Sequence, residues 1–568
     1  MPYMPYNKRI TENAMDNVVL SGIEKDIKEI LYSYIKAQSF TNTEKEIEAE
    51  NFFINYFSSV PYFKNTEGSY GRYKIENDAL NRSVCYAFLK GEVNHTIVFI
   101  HHSDVVGVED FKLLKDFAFS PDELRAELLK IKDTLSEDAK KDLSDGTFLF
   151  GRGVCDMKGG GAIQIALIKK YSELESFKGN IVLIAVPDEE NLSTGMRAAV
   201  KFLDELKVKH NLNYRIMINS EPHQRKDFSQ GIFSEGSVGK VMPYVYVRGV
   251  LAHAGKAFEG LNPLNVMSSI VRKTELNMEL SDVVGNEAAP PPTWLYFKDS
   301  KTAYDVSMPL SAKGCFSILT LKQTPQSIMK KLKNIYVEAF NEVIEDMNCN
   351  YKKFAESTRL KNTRLPWETM VVNFSELYRE AETSYGDVFN KKYEEKIKNL
   401  ETLYNNNEIS IIDCNFQLVD FVYGYIDDLS PRIVYGLIPP YYPNVSNLYF
   451  ENLDDTFKDI STKLNQFTEN QFNQTYTREY FYTGISDLSY TSMDNSSEVL
   501  DVLKSSMPLL KEFYDIPTDS VERISMPCIN IGPWGKDFHK LTERVSTEDL
   551  YIRTPQIINH AISIILGN

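Results

Sequence analysis

The opening third of the chain alternates amphipathic helical patterns with short apolar runs, a pattern typical of a mostly parallel sheet covered by helices. Thr43 and Glu46 form a capping-box pattern ahead of apolar residues at helical spacing, so we expect a helix to begin there. Short runs rich in β-branched residues predict buried strands. These strands are expected at residues 96–100, 180–186 and 214–218, with a fourth at 524–531.

The pattern changes after residue 240. Strands are predicted at 241–250 and 316–321, and helices at 263–280 and 324–347. This mixture is typical of an inserted α+β domain, inside which the prolines of 288–292 mark a loop or an edge. We therefore expect a first domain built from residues 1–240 and 371–568, interrupted by an insertion at 241–370.

The last third of the chain carries fewer signals. Residues 371–480 combine helical patterns rich in Tyr and Glu with a return strand at 432–437, followed by a proline-rich turn. Thr554 and Pro555 fit the N-cap and the first position of the last helix.

Potential metal ligands follow the predicted strands of the first domain. Asp156 adds a carboxylate from the glycine-rich run 151–161, just before a predicted helix. The carboxyl ends of strands in open α/β sheets form the ligand crevice, so we expect these side chains to converge. Imidazole and carboxylate ligands without thiolate suit zinc, manganese or cobalt in a hydrolytic site. The strand-end residues are His102, Glu189, Glu190, Glu221 and His539.

Some of these assignments have alternatives. His101 stands beside His102, and Asp227 or His223 could replace Glu221. Asp156 alone would also fit a helix N-cap, and the paired glutamates alone would fit solvated charges at a helix entrance. Placement after a buried strand favours the metal interpretation for the paired glutamates, and the other candidate ligands favour it for Asp156.

Composition and charge exclude several classes of protein. The 568 residues are 43% hydrophobic and 25% charged, which indicates a globular chain with one or two large cores. A net charge of −16 disfavours nucleic acid and anionic membranes as partners. The sequence contains no P-loop, no serine-hydrolase elbow and no dinucleotide fingerprint after the first strand.

Cysteine usage and hydropathy predict a soluble, cytoplasmic protein. The six cysteines lie far apart without a CxxC pair, so we expect all of them to be free thiols. No apolar run has the length of about 18 residues that a membrane span needs, and the amino terminus lacks the apolar core of a signal peptide.

Five ordered motifs resemble those of the di-zinc aminoacylase, desuccinylase and glutamate-carboxypeptidase family. The double glutamate is followed by 191–195, which looks most like the branch of the arginine-utilisation protein RocB. The resemblance implies an α/β fold: a mostly parallel-sheet zinc-peptidase catalytic domain with an inserted α+β lid domain of the dimerisation type. The motifs are His102-Ser-Asp104, the glycine-rich run with Asp156, Asp188-Glu-Glu190, Glu221-Pro222 and Gly532-Pro…His539.

The resemblance assigns ligands to two divalent metal ions, most simply zinc, with manganese or cobalt as alternatives. His102, Asp156 and Glu221 would hold one ion, and Asp156, Glu190 and His539 would hold the other. Asp156 would thus bridge the two ions.

The resemblance also assigns three further roles. Glu189 would be the general base that takes a proton from the attacking water. Asp104 would hydrogen-bond the far ring nitrogen of His102 and fix its tautomer. His253, in the sequence Val250-Leu-Ala-His-Ala-Gly255, would donate to the developing oxyanion, as a lid histidine does in relatives across a dimer interface. Asp487 matches a family turn that borders the site, although an Asx turn explains it equally well.

We therefore expect a metal-dependent hydrolase that cleaves the amide bond of a dipeptide or an N-acyl amino acid, with an arginine-related substrate suggested by the RocB branch. The resemblance is compatible with a monomer and with a homodimer formed through the lid. The arginine that anchors the substrate carboxylate is Arg248, Arg272 or Arg478, and the sequence does not choose among them. The alternatives are a non-catalytic amino-acid-binding or regulatory protein on the same fold, and an enzyme acting on a carbamoyl-type amide.

Overall fold

The computed structural model describes residues 18–225, 230–358 and 363–567. These residues divide into two compact units. The first unit comprises the chain up to Ser237, Val445–Met493 and the chain from Asp519 onward, and the second comprises Val238–Asn444 and Asp494–Thr518.

The strands carry the labels β1 to β21 in chain order. They are β1 Tyr70–Lys74, β2 Ser83–Leu89, β3 His95–His102, β4 Phe148–Phe150, β5 Asn180–Val186, β6 Asn213–Asn219, β7 Gln230–Ser234, β8 Gly236–Ser237, β9 Gly239–Val241, β10 Pro243–Arg248, β11 Val283–Val284, β12 Glu287–Ala288, β13 Thr293–Asp299, β14 Ser311–Thr320, β15 Val371–Asn373, β16 Arg432–Leu437, β17 Val445–Ser446, β18 Thr475–Glu479, β19 Cys528–Asn530, β20 Gly535–Lys536 and β21 Arg544–Ser546.

The α-helices are labelled in the same way. They are α1 Ile23–Tyr34, α2 Glu46–Ser59, α3 Pro61–Asn65, α4 Pro121–Lys130, α5 Glu137–Asp145, α6 Lys158–Ser172, α7 Thr194–His210, α8 Pro263–Thr274, α9 Pro325–Thr358, α10 Phe374–Asn405, α11 Ile411–Tyr423, α12 Asp455–Lys458, α13 Ile460–Phe472, α14 Ser496–Ser506, α15 Thr518–Ile524 and α16 Thr554–Leu566.

The first unit is built on an eight-stranded sheet in the order β1-β2-β5-β3-β6-β19-β7-β18. Its centre is parallel, because β5, β3, β6 and β19 run in one direction. Its edge strands β1 and β2 pair antiparallel, as do β2 with β5 and β19 with β7. The sheet is therefore mixed, and the expected α/β fold class is confirmed. The carboxyl ends of β3, β5 and β6 lie at one edge of this sheet.

The core of the first unit lies between this sheet and its covering helices. All residues of β5 are buried, and β3 is buried from Thr96 to His102, as expected of strands covered on both faces. Apolar side chains of α1, α2, α6 and α16 form one cluster with these strands. Helix α6 follows the glycine-rich run and is buried along most of its length, so the run is fixed at its helical end.

The second unit has a sheet of its own, in the order β13-β14-β10-β16-β15, with β9 paired to β14. The aromatic side chains of Tyr244 and Tyr246 on β10 pack with residues of α10 and α11, including Phe389 and Phe416. This unit is thus an α+β unit with its own core, in agreement with the expected fold of the insertion.

The observed division differs from the expected one after residue 370. The strand at 432–437 is present as β16, but it pairs with β10 and β15 of the second unit instead of returning to the first. An apolar strand sequence is compatible with either sheet, and tertiary pairing selects between them. Residues 371–444 consequently belong to the second unit, together with 494–518.

Three local expectations are corrected by the structure. Thr43 is not the N-cap of α2, because the helix starts at Glu46 after Lys45 and the Glu46 side chain turns inward to Arg82. The strand expected at 524–531 is only β19, because residues up to Ile524 are helical. Thr554 does not cap the last helix, since the π-helical turn Asp549–Arg553 leads directly into α16.

Within residues 18–225, 230–358 and 363–567, no helix combines the length and the hydropathy required to cross a membrane.

Candidate active site

The candidate ligands occupy the carboxyl edge of the central sheet. His102 is the last residue of β3, Glu189 and Glu190 follow β5, and Glu221 follows β6. Asp156 lies in the loop before α6, and its peptide bond to Met157 is cis.

His539 does not follow a strand of the central sheet as expected. It lies between β20 and β21 of a small sheet completed by β4. The backbone there adopts a positive φ of 62°.

The Asp156 carboxylate is divided between the two histidines. Its Oδ1 lies 3.1 Å from Nε2 of His102, and its Oδ2 lies 3.1 Å from Nε2 of His539. Nε2 of His102 is also 3.4 Å from Oε1 of Glu221, and Nε2 of His539 is 2.9 Å from Oε1 of Glu190. Each histidine therefore meets one oxygen of Asp156 and one further carboxylate.

Three overlapping groups of potential ligand atoms result, each with all its atoms within 4.8 Å of one another. One contains His102, Asp156 and Glu221, and another contains Asp156, Glu190 and His539. The third contains His102, Glu189 and Glu190. The structure thus brings together the six side chains that were expected to converge, and Asp156 is common to the first two groups.

The electrostatics of the group favour a bound cation. Burial raises the pKa of Glu221 well above its ordinary value, and Asp156, Asp487 and Glu190 raise it further. Burial likewise raises the pKa of Glu189 well above its ordinary value. Several buried carboxylates around two imidazoles form a donor set that divalent cations satisfy, because the positive charge offsets both burial and mutual repulsion.

Asp487 adds a further buried carboxylate beside the group. It is fully buried, and neither of its carboxylate oxygens has a hydrogen-bond partner among the described residues. Burial raises its pKa to about 7, against the opposing charge of His102. The Asx turn considered from the sequence is not formed, because the Ser489 N–H donates to the Ser486 carbonyl at 3.0 Å and not to the Asp487 carboxylate. A cation nearby would offset the cost of this unpartnered charge.

Asp104 acts differently from the expectation. Nδ1 of His102 lies 3.1 Å from the main-chain oxygen of Asp104, whereas the nearest carboxylate oxygen is 3.6 Å away, beyond hydrogen-bond distance. The Asp104 carboxylate instead accepts the backbone N–H groups of Glu189 and Glu190, each at 3.2 Å. Asp104 therefore joins the end of β3 to the loop that carries both glutamates.

The alternative ligands are engaged elsewhere. The ring nitrogens of His101 meet Gln164 Oε1 at 3.1 Å and the Tyr34 hydroxyl at 3.3 Å. His223 Nδ1 lies 2.8 Å from the Gly532 carbonyl, while Nε2 accepts from Arg225 at 3.0 Å. Asp227 lies outside the described residues.

One further expectation concerns the cysteines. Cys155, beside Asp156, is fully buried, and burial raises its pKa well above the ordinary value of a thiol, so it stays a thiol. All six cysteines are free, as predicted.

His253 lies in the second unit, at the N-cap of a short 3-10 helix. Its Nδ1 accepts the Gly255 N–H at 3.0 Å, and its side chain is exposed. Because Nδ1 is an acceptor, the neutral ring carries its proton on Nε2.

The three arginines considered as substrate anchors have local partners. The guanidinium of Arg248 lies over the ring of Tyr423, and that of Arg478 lies over Tyr480. Arg272 is 3.8 Å from Glu342 on the surface of the second unit.

Glu543 is a positioning residue that sequence reasoning missed. One of its carboxylate oxygens accepts the N–H groups of Gly153 at 2.8 Å and of Cys155 and Asp156 at 3.4 Å, and the other meets Arg152 Nη1 at 2.5 Å. The residue is fully buried. It lies 390 residues from Gly153, so no local pattern identifies it.

A second missed cluster holds the loop of the paired glutamates. Arg82 Nη1 lies 2.8 Å from both Glu46 Oε1 and Asp188 Oδ1, and Glu46 Oε2 accepts the Asp188 N–H at 2.9 Å. Asp188 directly precedes Glu189 and has a positive φ of 68°. The only local signal was the capping-box pattern at Glu46, which indicated a different role.

Comparison with known proteins identifies the family. The model of peptidase family M20/M25/M40 matches residues 132–554, which is most of the chain. The chain belongs to this peptidase family. The matched residues include Asp156, both paired glutamates, Glu221 and His539. The family expected from the sequence motifs is thereby confirmed.

Two relatives match this chain over nearly its whole length. It is 29% identical over 541 residues to the uncharacterized protein YqjN of Bacillus subtilis, covering 94% of this chain and 96% of that protein. It is 27% identical over 534 residues to protein RocB of the same organism, covering 91% of each.

A solved structure shares the fold. Aminopeptidase PepT from Bacillus cereus superposes with a TM-score of 0.52 at 12% identity, covering 96% of this chain and 99% of that one. At this identity the likeness concerns the fold alone.

Proposed function

We propose that this member of the M20/M25/M40 family is a di-metal amide hydrolase that cleaves a dipeptide or an N-acyl amino acid. The observation that carries the proposal is that one carboxylate oxygen of Asp156 lies next to His102 and the other lies next to His539. His102, Asp156 and Glu221 would hold one ion, and Asp156, Glu190 and His539 would hold the other. Zinc suits the His and carboxylate donors best, with manganese or cobalt as alternatives.

Glu189 is the general base in this proposal. When bound, two divalent ions acidify water and polarise the scissile carbonyl. Glu189 takes the proton as the water oxygen attacks the carbonyl carbon, and passes it to the nitrogen as the C–N bond breaks. Burial supports this role, because it raises the pKa of Glu189 well above the ordinary value and makes the carboxylate a stronger base.

His253 is proposed to donate a hydrogen bond to the developing oxyanion. Its exposed ring, with Nδ1 occupied by the Gly255 N–H, presents Nε2–H as a donor. We propose the first unit as the catalytic domain and the second as the lid. The proposal is compatible with a monomer and with a homodimer formed through the lid.

An arginine-related substrate is part of the proposal. It is supported by the likeness to RocB over most of both chains, which is a likeness of whole sequences and not of a named substrate pocket. We also propose a cytoplasmic location, which is supported by six free cysteines in the described structure.

The experiment is metal analysis of the purified protein and its Asp156→Ala variant, together with a panel of dipeptides and N-acyl amino acids that includes arginine compounds. We expect about two zinc, manganese or cobalt equivalents per chain, both lost in the variant because one carboxylate serves both ions. Asp145→Ala, which replaces an exposed aspartate at the end of α5, is the matched control and should retain both metal equivalents.

Loss of one metal equivalent alone in Asp156→Ala would refute the bridging role of Asp156. Absence of metal after reconstitution would favour a non-catalytic amino-acid-binding protein on the same fold. Activity restricted to carbamoyl compounds would favour an enzyme that acts on carbamoyl-type amides.

A further inference from the structure

Tyr482 lies at the candidate metal group without a role in the proposed reaction. Its phenol oxygen is 3.2 Å from the main-chain oxygen of Pro222, the residue that directly follows Glu221. After burial, the charges of Glu221, Asp156 and Glu189 are the largest contributions that raise the pKa of Tyr482 well above its ordinary value. The phenol therefore lies beside the backbone that follows Glu221, within electrostatic range of three carboxylates of the group.

The ring of Tyr482 is held in place by its own loop. The Tyr482 N–H donates to the Gly236 carbonyl at 2.9 Å, which fixes the backbone next to β8. A Cβ at Gly484 would lie 2.5 Å from Cε1 of Tyr482, so only glycine lets the ring pass at this point. Gly484 opens the turn that leads to Asp487, and its small size is explained by this close approach.

The phenol is also only weakly engaged by its hydrogen-bond partner. The Tyr482 side chain is partly exposed, unlike the fully buried Asp487 on the same loop. Its hydrogen bond to the Pro222 carbonyl is long for an O–H donor, for which 2.7–2.8 Å is usual. A group that approaches the metal site can therefore take this hydrogen bond over at low cost.

Amide hydrolysis creates a need for such a donor. The carbonyl oxygen gains negative charge in the transition state, and here it does so beside several carboxylates. A phenol is neutral at physiological pH because its ordinary pKa is about 10, and one that is already oriented stabilises such charge without having to reorganise.

We propose that Tyr482 is a catalytic residue that donates a hydrogen bond to the developing oxyanion of the substrate amide. The phenol moves its hydrogen bond from the Pro222 carbonyl to the substrate oxygen and keeps its proton throughout. This inference rests on the proposed hydrolase function and adds to it a donor from the same unit as the metal group.

The test compares Tyr482→Phe with Tyr73→Phe, which removes a phenol that hydrogen-bonds Glu205 on the surface. We expect Tyr482→Phe to lower kcat by about 100- to 1,000-fold with KM, metal content and melting temperature nearly unchanged. Its affinity for a phosphinic analogue of the best dipeptide substrate should fall by a similar factor, because that analogue resembles the tetrahedral state. Tyr73→Phe should match the wild type in every measurement.

The possible failures are distinguishable. If the wild type binds two metal equivalents and turns over its substrate while Tyr482→Phe keeps the same kcat, the role of Tyr482 is overturned and the hydrolase stands. Loss of metal in Tyr482→Phe would also overturn it, since the residue would then act by positioning Glu221. Absence of both metal and hydrolysis in the wild type overturns the proposed function and this inference together.

Discussion

At the scale of single residues, the candidate site depends on how a few carboxylate oxygens are shared. Asp156 offers one oxygen to each histidine, and Asp104 offers one oxygen to the backbone of each paired glutamate. These two aspartates therefore orient the residues around them, and each does so with both oxygens. Their residue type was visible in the sequence, whereas the direction of each oxygen was not.

Replacing Glu189 by Gln tests whether this residue acts as the general base or as a metal ligand. We expect at least a 100-fold loss of kcat with both metal equivalents retained, because the amide cannot accept the proton of water. Glu190→Gln is the matched comparison and should lose metal, since Glu190 lies 2.9 Å from His539. Retained turnover in Glu189→Gln would remove the residue as the base, and loss of metal there would make it a ligand. Steady-state rates and metal analysis of both variants provide the measurement.

His101 predicts a pH dependence of stability. Burial lowers its pKa from 6.5 to about 3, with both ring nitrogens engaged by Gln164 and Tyr34. Below pH 6.5 the unfolded chain takes up a proton that the folded state excludes, so the stability present at neutral pH is lost as the pH falls. The expected loss from this residue is about 1.4 kcal/mol per pH unit.

Urea unfolding of the wild type and of His101→Asn at pH 7.5 and pH 5.5 tests this dependence. The variant should be less stable at both values but should lose less stability between them. Equal losses in the two proteins would show that His101 does not stay neutral when folded.

At the scale of elements, the glycine-rich loop before α6 is held by a residue from the other end of the chain. Glu543, just before β21, satisfies backbone N–H groups of Gly153, Cys155 and Asp156 and pairs with Arg152. Loops that carry ligands need such support, because a ligand displaced by an ångström binds its metal poorly.

Glu543→Gln should therefore weaken both the fold and the metal site. Breaking a fully buried ion pair costs about 3–5 kcal/mol, and loss of such outer contacts lowers metal affinity by about 10- to 100-fold. Glu548→Gln is the control, because Glu548 is 46% exposed and its pair with Arg553 should contribute less than about 1 kcal/mol. Urea unfolding and zinc titration measure the two effects. Unchanged zinc affinity in Glu543→Gln would contradict the positioning role.

At the scale of the whole molecule, two units with separate cores are built from interleaved parts of the chain. The candidate metal group lies entirely within the first unit, and the second unit has its own sheet and aromatic core. A bound metal stabilises the folded state that holds it, so its direct effect falls on the unit that contains the ligands.

Chelation should consequently affect the two units unequally. We expect a chelator to lower the stability of the first unit and to leave that of the second nearly unchanged. Hydrogen exchange followed by mass spectrometry resolves the units by their peptides, with β5 and α6 reporting on the first and β10 and α11 on the second. An equal loss of protection in all four elements would contradict this expectation.

The sequence by itself determined the type of fold and the type of chemistry. Buried strands such as β3 and β5 can be recognised in the sequence by consecutive apolar residues, because burial on both faces leaves no alternation of polar and apolar positions. Ligands that follow such strands are also visible, because chain order places them at the edge of the sheet. His102, Glu189, Glu190 and Glu221 could be named for this reason, and Asp156 could be named from the glycine-rich run before a predicted helix.

Only the tertiary structure decided which unit receives β16, how Asp104 is used, and which residues support the site. β16 is apolar enough for either sheet, and its partners are chosen by packing of the whole chain. The hydrogen bonds of Glu543 to Gly153 and of Glu46 to Asp188 join residues 390 and 142 positions apart, so no local sequence period indicates them. Local patterns encode burial, whereas the direction of a buried polar side chain depends on partners that folding alone brings near.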